Sequence, residues 1–346
     1  MPPSRNPDPI DHVVPLADIL DARQRIAGRL HRTPMLTSAT AADWITTATG
    51  ARLGDDRLYL KAEHLQKTGS FKPRGMTNRV ATLTDDERSR GVITLSAGNA
   101  GQAYAWAGRS AGAAVTVVMP AGAVRSKVDA CLGYGARVVL HGAHVGETFA
   151  EMERIRDADG LRFVHPFDDP AVIAGHGSIG LELLEDLPDL DVVLVGVGGG
   201  GLISGVAAAL KERRPQIRVY GVEPLRSNAV SLAMARNEVV QIQPESVADG
   251  LGAPFAGAWT LAMCRRYLDD VILLDDPTIL AGMRFAAERM KQILEPAGAA
   301  ALAAVLAGRV PIRDGERVAV VLSGGNVEVT RIGDLLAAAG PLPGAA

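Results

Sequence analysis

The sequence predicts an α/β fold class: two lobes of parallel-type open sheets flanked by helices. Three observations point there. Short apolar runs alternate with longer helical stretches along most of the chain. A run of glycines, Gly198 to Gly201, follows one apolar strand and opens a helix. Hydrophobic residues make up 47% and charged residues 22% of the 346 positions, the balance of a globular protein able to bury large cores.

The elements follow in order. Strands are predicted over 92–95, 114–119, 137–140 and 161–164, with helices over 102–111, 126–132 and 145–156 between them. A second series has helix 173–187, strand 191–197, helix 202–213 and strand 218–222. Strand 271–274, helices 277–294 and 298–306, and strand 317–322 complete the pattern. Repeated βα units of this kind place helices on both faces of parallel sheets. Residues 83–165 hold several compact βα units and are expected to form a small, mobile lobe. Residues 1–82 and 166–346 are expected to form a larger, discontinuous one.

Bulk properties exclude several functions. A net charge of −3 and a pI near 6.2 give no electrostatic case for nucleic acid or an anionic membrane. No apolar run approaches membrane-spanning length. The amino-terminal stretch is polar and proline-rich, without the apolar core of a secretory signal, so a cytoplasmic location is expected. Cys131 and Cys264 form no CxxC pair, and no histidine spacing suggests a metal site.

Two features carry chemistry. In Val195-Gly196-Val197-Gly198-Gly199-Gly200-Gly201-Leu202, bare glycines let backbone N–H groups close on an anion at a helix N-terminus. A phosphate is the natural guest. Gly196, Gly198 and Gly201 also satisfy GxGxxG, with Glu223 about twenty residues on, so a nicotinamide dinucleotide is a rival. The chain has six lysines. Lys61 falls in a predicted edge strand, and Lys67, Lys127, Lys211 and Lys291 in settings read as solvated. Lys72 differs: it enters a helix beside Phe71, where an apolar wall and a helix N-terminus disfavour the ammonium form. A neutral amine can attack an aldehyde and later act as a base.

Ser70-Phe71-Lys72-Pro73-Arg74-Gly75 resembles the cofactor-attachment motif of the serine/threonine dehydratases (threonine ammonia-lyases). These belong to the tryptophan-synthase-β-like, fold type II enzymes that use pyridoxal 5′-phosphate (PLP). Ser96-Ala97-Gly98-Asn99 resembles the family's asparagine loop, and Asp169-Pro170-Ala171-Val172-Ile173-Ala174-Gly175 a stretch of its threonine deaminases. The glycine run, Glu295-Pro296-Ala297-Gly298 and Ser323-Gly324-Gly325-Asn326 also match, in family order over about residues 26–332.

The resemblance implies a role for each residue. Lys72 would hold PLP covalently and serve as the catalytic base, with Phe71 beside the ring. Asn99 would bond the cofactor's 3′-oxygen, and Ser323 would face its pyridine nitrogen. The amides of Gly198, Gly199, Gly200, Gly201 and Leu202 would grip its phosphate. Ser96, Ala97, Gly98 and Asn99 would bind the substrate carboxylate. The implied reaction is α,β-elimination from L-threonine or L-serine to a 2-oxo acid and ammonia. A homodimer or homotetramer is expected.

Departures matter too. The serine racemases carry a second serine where this chain has Ala97, so elimination is expected to outrun racemisation. Glu223 resembles their metal ligand, but Ser227-Asn228-Ala229 stands where a second carboxylate is expected, leaving no convincing metal site. Ala100, His176 and Pro73 replace common residues. These changes leave a specialised substrate open, such as 3-hydroxyaspartate or a hydroxyectoine-derived amino acid. A β-replacement enzyme of the cysteine-synthase type is a rival on the same fold.

Overall fold

The computed structural model describes residues 12–344. The chain begins with α1 (Leu16–Ile26), β1 (Met35–Ser38), α2 (Ala39–Thr49), β2 (Leu58–Lys61), α3 (Pro73–Ala81) and α4 (Asp85–Arg90). Then come β3 (Val92–Leu95), α5 (Asn99–Ala111), β4 (Val115–Met119), α6 (Arg125–Gly133), β5 (Arg137–Leu140), α7 (Val145–Asp159) and β6 (Arg162–Phe163). They are followed by α8 (Pro170–Asp186), β7 (Val192–Gly196), α9 (Gly201–Lys211), β8 (Arg218–Pro224), α10 (Ala229–Arg236) and α11 (Ala258–Tyr267). The last are β9 (Asp270–Leu274), α12 (Asp276–Phe285), α13 (Pro296–Leu306), β10 (Val318–Val321) and α14 (Val329–Ala337).

Two sheets result. One has six strands in the order β1-β2-β10-β7-β8-β9, and the other four in the order β5-β4-β3-β6. All pairings are parallel except β1 with β2. Strands β7 and β10, reading VVLVG and VAVV, are buried at every position, because helices cover both faces of the large sheet. All eleven residues of α13 are buried. Its alanines and single glycine permit close approach: a Cβ on Gly298 would stand 2.0 Å from the Gly324 carbonyl. Helix ends follow local chemistry. Asp169 caps α8 ahead of Pro170, and Thr84 with Glu87 forms a capping box on α4. No helix among the described residues is long and apolar enough to cross a membrane.

Several sequence expectations need correction. Strand β2 is not an edge, because β1 covers it on one side and β10 on the other. Lys61 is fully buried, with Nζ 2.7 Å from Glu182 and 3.2 Å from Asp186, and it donates to the Thr33 carbonyl. Lys127 is not solvated either; its largely buried side chain pairs with Asp249. Lys211 is likewise mostly covered and pairs with Asp269 at 2.7 Å. The helix expected over 277–294 leaves α-geometry after Phe285, makes a π-turn over Ala286–Met290 and stops at Lys291, whose φ is +58°. Strand 161–164 shrinks to two residues.

Candidate active site

One cavity of about 350 Å³ opens between the C-terminal ends of strands from both sheets. Every residue given a cofactor or substrate role from the motifs lies on its wall: Phe71, Lys72, Ser96, Ala97, Gly98, Asn99, Gly198, Gly199, Gly200, Gly201, Leu202 and Ser323. Open α/β sheets place ligands at such strand ends.

Lys72 immediately precedes α3, whose Pro73 at the first turn fixes the entry angle. Its Nζ donates to the Pro166 carbonyl at 3.0 Å. No carboxylate among the described residues lies within ion-pair distance of it. Burial pushes the amine down to about 8, with only a partial countering pull from Glu295. The Phe71 ring centroid is 5.1 Å from Nζ, and His176 packs edge-on behind that ring. His176 is fully buried, with both ring nitrogens lacking partners, and burial holds it neutral.

The segment carrying Lys72 is anchored from below by Arg74. This guanidinium is 2% exposed and makes two hydrogen bonds to Glu63, at 2.8 Å each, and two to Glu182, at 2.7 and 2.9 Å. The paired forks tie the start of α3 to α8 and to the turn after β2. Arg74 stood inside the motif read from the sequence, but its partners, 11 and 108 residues away, carried no local signal.

The glycine turn joins β7 to α9. The amides of residues 198 to 202 find no partner among the described residues, although Gly199, Gly200, Gly201 and Leu202 are buried. Such a row of bare donors at a helix N-terminus suits an anion. Gly200 takes a φ of +88°, and a Cβ on Gly199 would stand 2.4 Å from the Phe167 ring, so side chains are barred from the cradle.

The asparagine loop opens α5. The Ser96 hydroxyl accepts from the amides of Gly98 and Gly101, at 3.2 and 3.1 Å. The amides of Ala97, Asn99 and Ala100 are left without partners among the described residues. Asn99 donates from Nδ2 to Glu295 at 2.6 Å and accepts at Oδ1 from Gln102 and Asn326. The Ser323 hydroxyl reaches only the Ala297 carbonyl, at 3.5 Å.

Two wall residues had no role assigned from the sequence. The Glu295 carboxyl is pushed up to about 7, by burial first and by neighbouring Asp249 second. His165 is pushed down to about 4 by burial and by Lys72. Its Nδ1 accepts from the amides of Phe167 and Asp168, so the ring proton sits on Nε2. Glu295 lay within a matched motif, whereas His165 carried no signal of its own. Glu223 lies apart from this wall. It is fully buried, and its two oxygens accept from the amides of Val230 and Ser231, at 2.8 and 2.9 Å, at the start of α10. Among the described residues no group of three or more His, Cys, Asp or Glu is arranged to hold a metal.

A recessed amine without a counter-ion, a side-chain-free anion cradle and a nearly unbonded hydroxyl therefore share one cavity. They fit PLP, which brings an aldehyde, a phosphate and a pyridine nitrogen. Fold and cavity together define a two-sheet α/β enzyme of the fold type II, cofactor-dependent class. The chain belongs to the pyridoxal-phosphate-dependent enzyme family, whose pattern matches residues 26–324. It is 41% identical over 322 residues to the L-threonine ammonia-lyase of Thermotoga maritima, covering 92% of this chain and 77% of that one. It is 38% identical to the catabolic L-threonine dehydratase of Escherichia coli K12, covering 94% and 97%. Among solved structures it matches maize serine racemase with a TM-score of 0.86 and 33% identity, over 93% and 96% of the two chains.

Proposed function

We propose that this enzyme removes water and then ammonia from a β-hydroxy-α-amino acid such as L-threonine or L-serine, leaving a 2-oxo acid. The observation that carries the reading is the uncompensated amine of Lys72, on the same wall as the glycine cradle and Ser323. The names of the two relatives quoted above support it. PLP, when bound, withdraws the electron pair left at Cα. Lys72 would join its aldehyde carbon, the amides of residues 198 to 202 its phosphate, Asn99 its 3′-oxygen and Ser323 its pyridine nitrogen.

The chain's own groups do the rest. The free amides of Ala97, Asn99 and Ala100 hold the substrate carboxylate, aided by the dipole of α5. Lys72 Nζ takes the Cα proton; with the amine near 8 rather than 10.5, the neutral form is present in part at neutral pH and predominates above about pH 8. The β-hydroxyl departs as water, taking up the proton that Lys72 Nζ removed from Cα and leaving the amine neutral again. Lys72 would regain its bond to the cofactor's aldehyde carbon as the enamine product leaves, and the free enamine tautomerises to an imine that water hydrolyses to the 2-oxo acid and ammonia. Arg74 keeps Lys72 in place through Glu63 and Glu182.

Residues 83–165 serve as a small mobile lobe on this reading. The four-stranded sheet falls within that span, Lys127–Asp249 is a polar link at the cavity wall, and Ser126–Glu328 is a second link between the span and the rest of the chain. The family resemblance supports an assembly of two or four copies in the cytoplasm, which light scattering on the purified protein would test for the copy number.

Racemisation is the second reading, favoured by the fold match to a serine racemase. Ala97 opposes it, since a methyl group has no proton to deliver to the opposite face of Cα. Incubation with L-threonine and L-serine, assayed for 2-oxo acid and for D-isomer, separates the two. Borohydride reduction followed by peptide mass mapping should place the cofactor on Lys72. No 2-oxo acid from either amino acid, or a label on another lysine, would overturn the respective assignment.

A further inference from the structure

The chain contains six phenylalanines, and five of them line this single cavity: Phe71, Phe149, Phe163, Phe167 and Phe255. Aromatic residues are only 4% of the sequence, so their concentration here is a local feature and not a consequence of composition. Phe71 packs beside Lys72 and Phe167 against the glycine turn. Phe163 also packs against the core of the four-stranded sheet, whereas Phe149 and Phe255 have no such duty. Phe163 stands 5.8 Å from His165, His165 lies edge-on to Phe167 at 4.5 Å, and Phe255 tilts against Phe167 at 5.5 Å. Phe149 reaches the cavity from α7 while 44% exposed, next to the equally exposed Val145. Apolar surface left in water at a cavity mouth gains stability when an apolar group covers it.

The charges on the wall argue in the same direction. No arginine among the described residues lines the cavity. Lys127 is already paired with Asp249, and Glu295 adds a further carboxyl. His165 is held neutral. Apart from the attachment amine of Lys72, a second carboxylate on the substrate would meet no unpaired cation among the described residues and would face Asp249 and Glu295. Serine and threonine present a hydrogen or a methyl at Cβ, which leaves a wall of rings uncovered. A phenyl or branched alkyl group would pack among them, edge to face where it is aromatic.

We infer that the preferred substrate is a β-hydroxy-α-amino acid bearing a bulky apolar β-substituent, an aryl or branched alkyl group. The inference rests on the elimination reading for its reaction, but on the cavity wall for its specificity. A dicarboxylic substrate such as 3-hydroxyaspartate is disfavoured on the same ground.

The test uses the holoenzyme with four amino acids: L-threo-phenylserine, L-threonine, L-serine and L-threo-3-hydroxyaspartate. The kcat/KM for phenylserine should exceed that for serine by about tenfold or more, the scale on which apolar pockets discriminate, with hydroxyaspartate last. Equal or lower values for phenylserine would overturn the inference. Calorimetric binding of L-phenylalanine, L-alanine and L-aspartate reads the wall without elimination, because none carries a β-hydroxyl. L-phenylalanine should bind tightest and L-aspartate weakest. If no substrate yields a 2-oxo acid but L-phenylalanine still binds tightest, the elimination reading falls and the specificity stands. If 2-oxo acid forms but L-phenylalanine binds no better than L-alanine, the specificity falls alone. Phe255→Ser should lower the phenylserine-to-threonine ratio several-fold, and Phe255→Leu should largely preserve it. An unchanged ratio in Phe255→Ser and Phe149→Ser alike would count against the wall.

Discussion

Lys61 and Lys72 lie eleven positions apart, and both are drawn out of solvent, yet the fold treats them oppositely. Lys61 is surrounded by Glu182, Asp186 and the Thr33 carbonyl. Lys72 has one carbonyl, from Pro166, and an aromatic ring. A buried cation with carboxylates is an ion pair and stays chemically quiet. A buried amine without them is disfavoured as ammonium and becomes a nucleophile and base. The distinction lies in what the remainder of the chain sends to each site, since both residues look alike as isolated lysines.

Substitutions at the two positions should therefore have opposite signatures. Lys72→Ala should lower elimination by about a thousandfold or more, because one group supplies both attachment and proton transfer. The urea midpoint of the cofactor-free variant should match or exceed that of the cofactor-free parent, and a large fall there would show that Lys72 is structural. Lys61→Met should do the reverse. Leaving Glu182 and Asp186 short of a buried partner should cost about 3 kcal/mol, read as a lower urea midpoint. Activity per folded molecule should survive.

The pH dependence sharpens the contrast. The folded amine of Lys72 titrates near 8, against an ordinary value of 10.5. Between those values the unfolded chain binds the extra proton, so this group makes the cofactor-free protein more stable as pH rises from about 8 toward 10.5, with a flat contribution below. Subtracting the curve of Lys72→Met from that of the parent should isolate that rise, and parallel curves would remove the claim. The smallest expected effect is at Ala97→Ser, which should raise D-serine formation relative to 2-oxo acid from L-serine. Chiral chromatography alongside a keto-acid assay measures the ratio, and an unmoved ratio would displace Ala97 from the face of Cα.

The fold class was legible because βα alternation is a local pattern, and the family because its motifs are short and contiguous. Elements α1, β1 and α2 went unread: four residues, Met35–Ser38, do not announce a strand, and only their pairing with β2 makes them one. The misreading of Lys61 follows directly, since an unseen neighbour left β2 looking like an edge. Within the site, the motif residues given a cofactor or substrate role all reach one cavity. The parts that tune them were illegible because each depends on contacts distant in sequence. Asn99 meets Glu295 across 196 positions, and Arg74 meets Glu182 across 108. The phenylalanines were visible one by one, but nothing in their spacing showed that five share a wall.

The bare amides of residues 198 to 202 also bear on how the protein should be handled. Water alone is a poor match for a fixed fan of donors, so small tetrahedral oxyanions ought to settle there whenever the vitamin derivative is missing. By mass action, a phosphate or sulfate buffer should then raise the melting temperature of the stripped protein. The same ions should slow its reconstitution by competing for the turn, so the choice of buffer salt bears on both shelf life and recovery of activity.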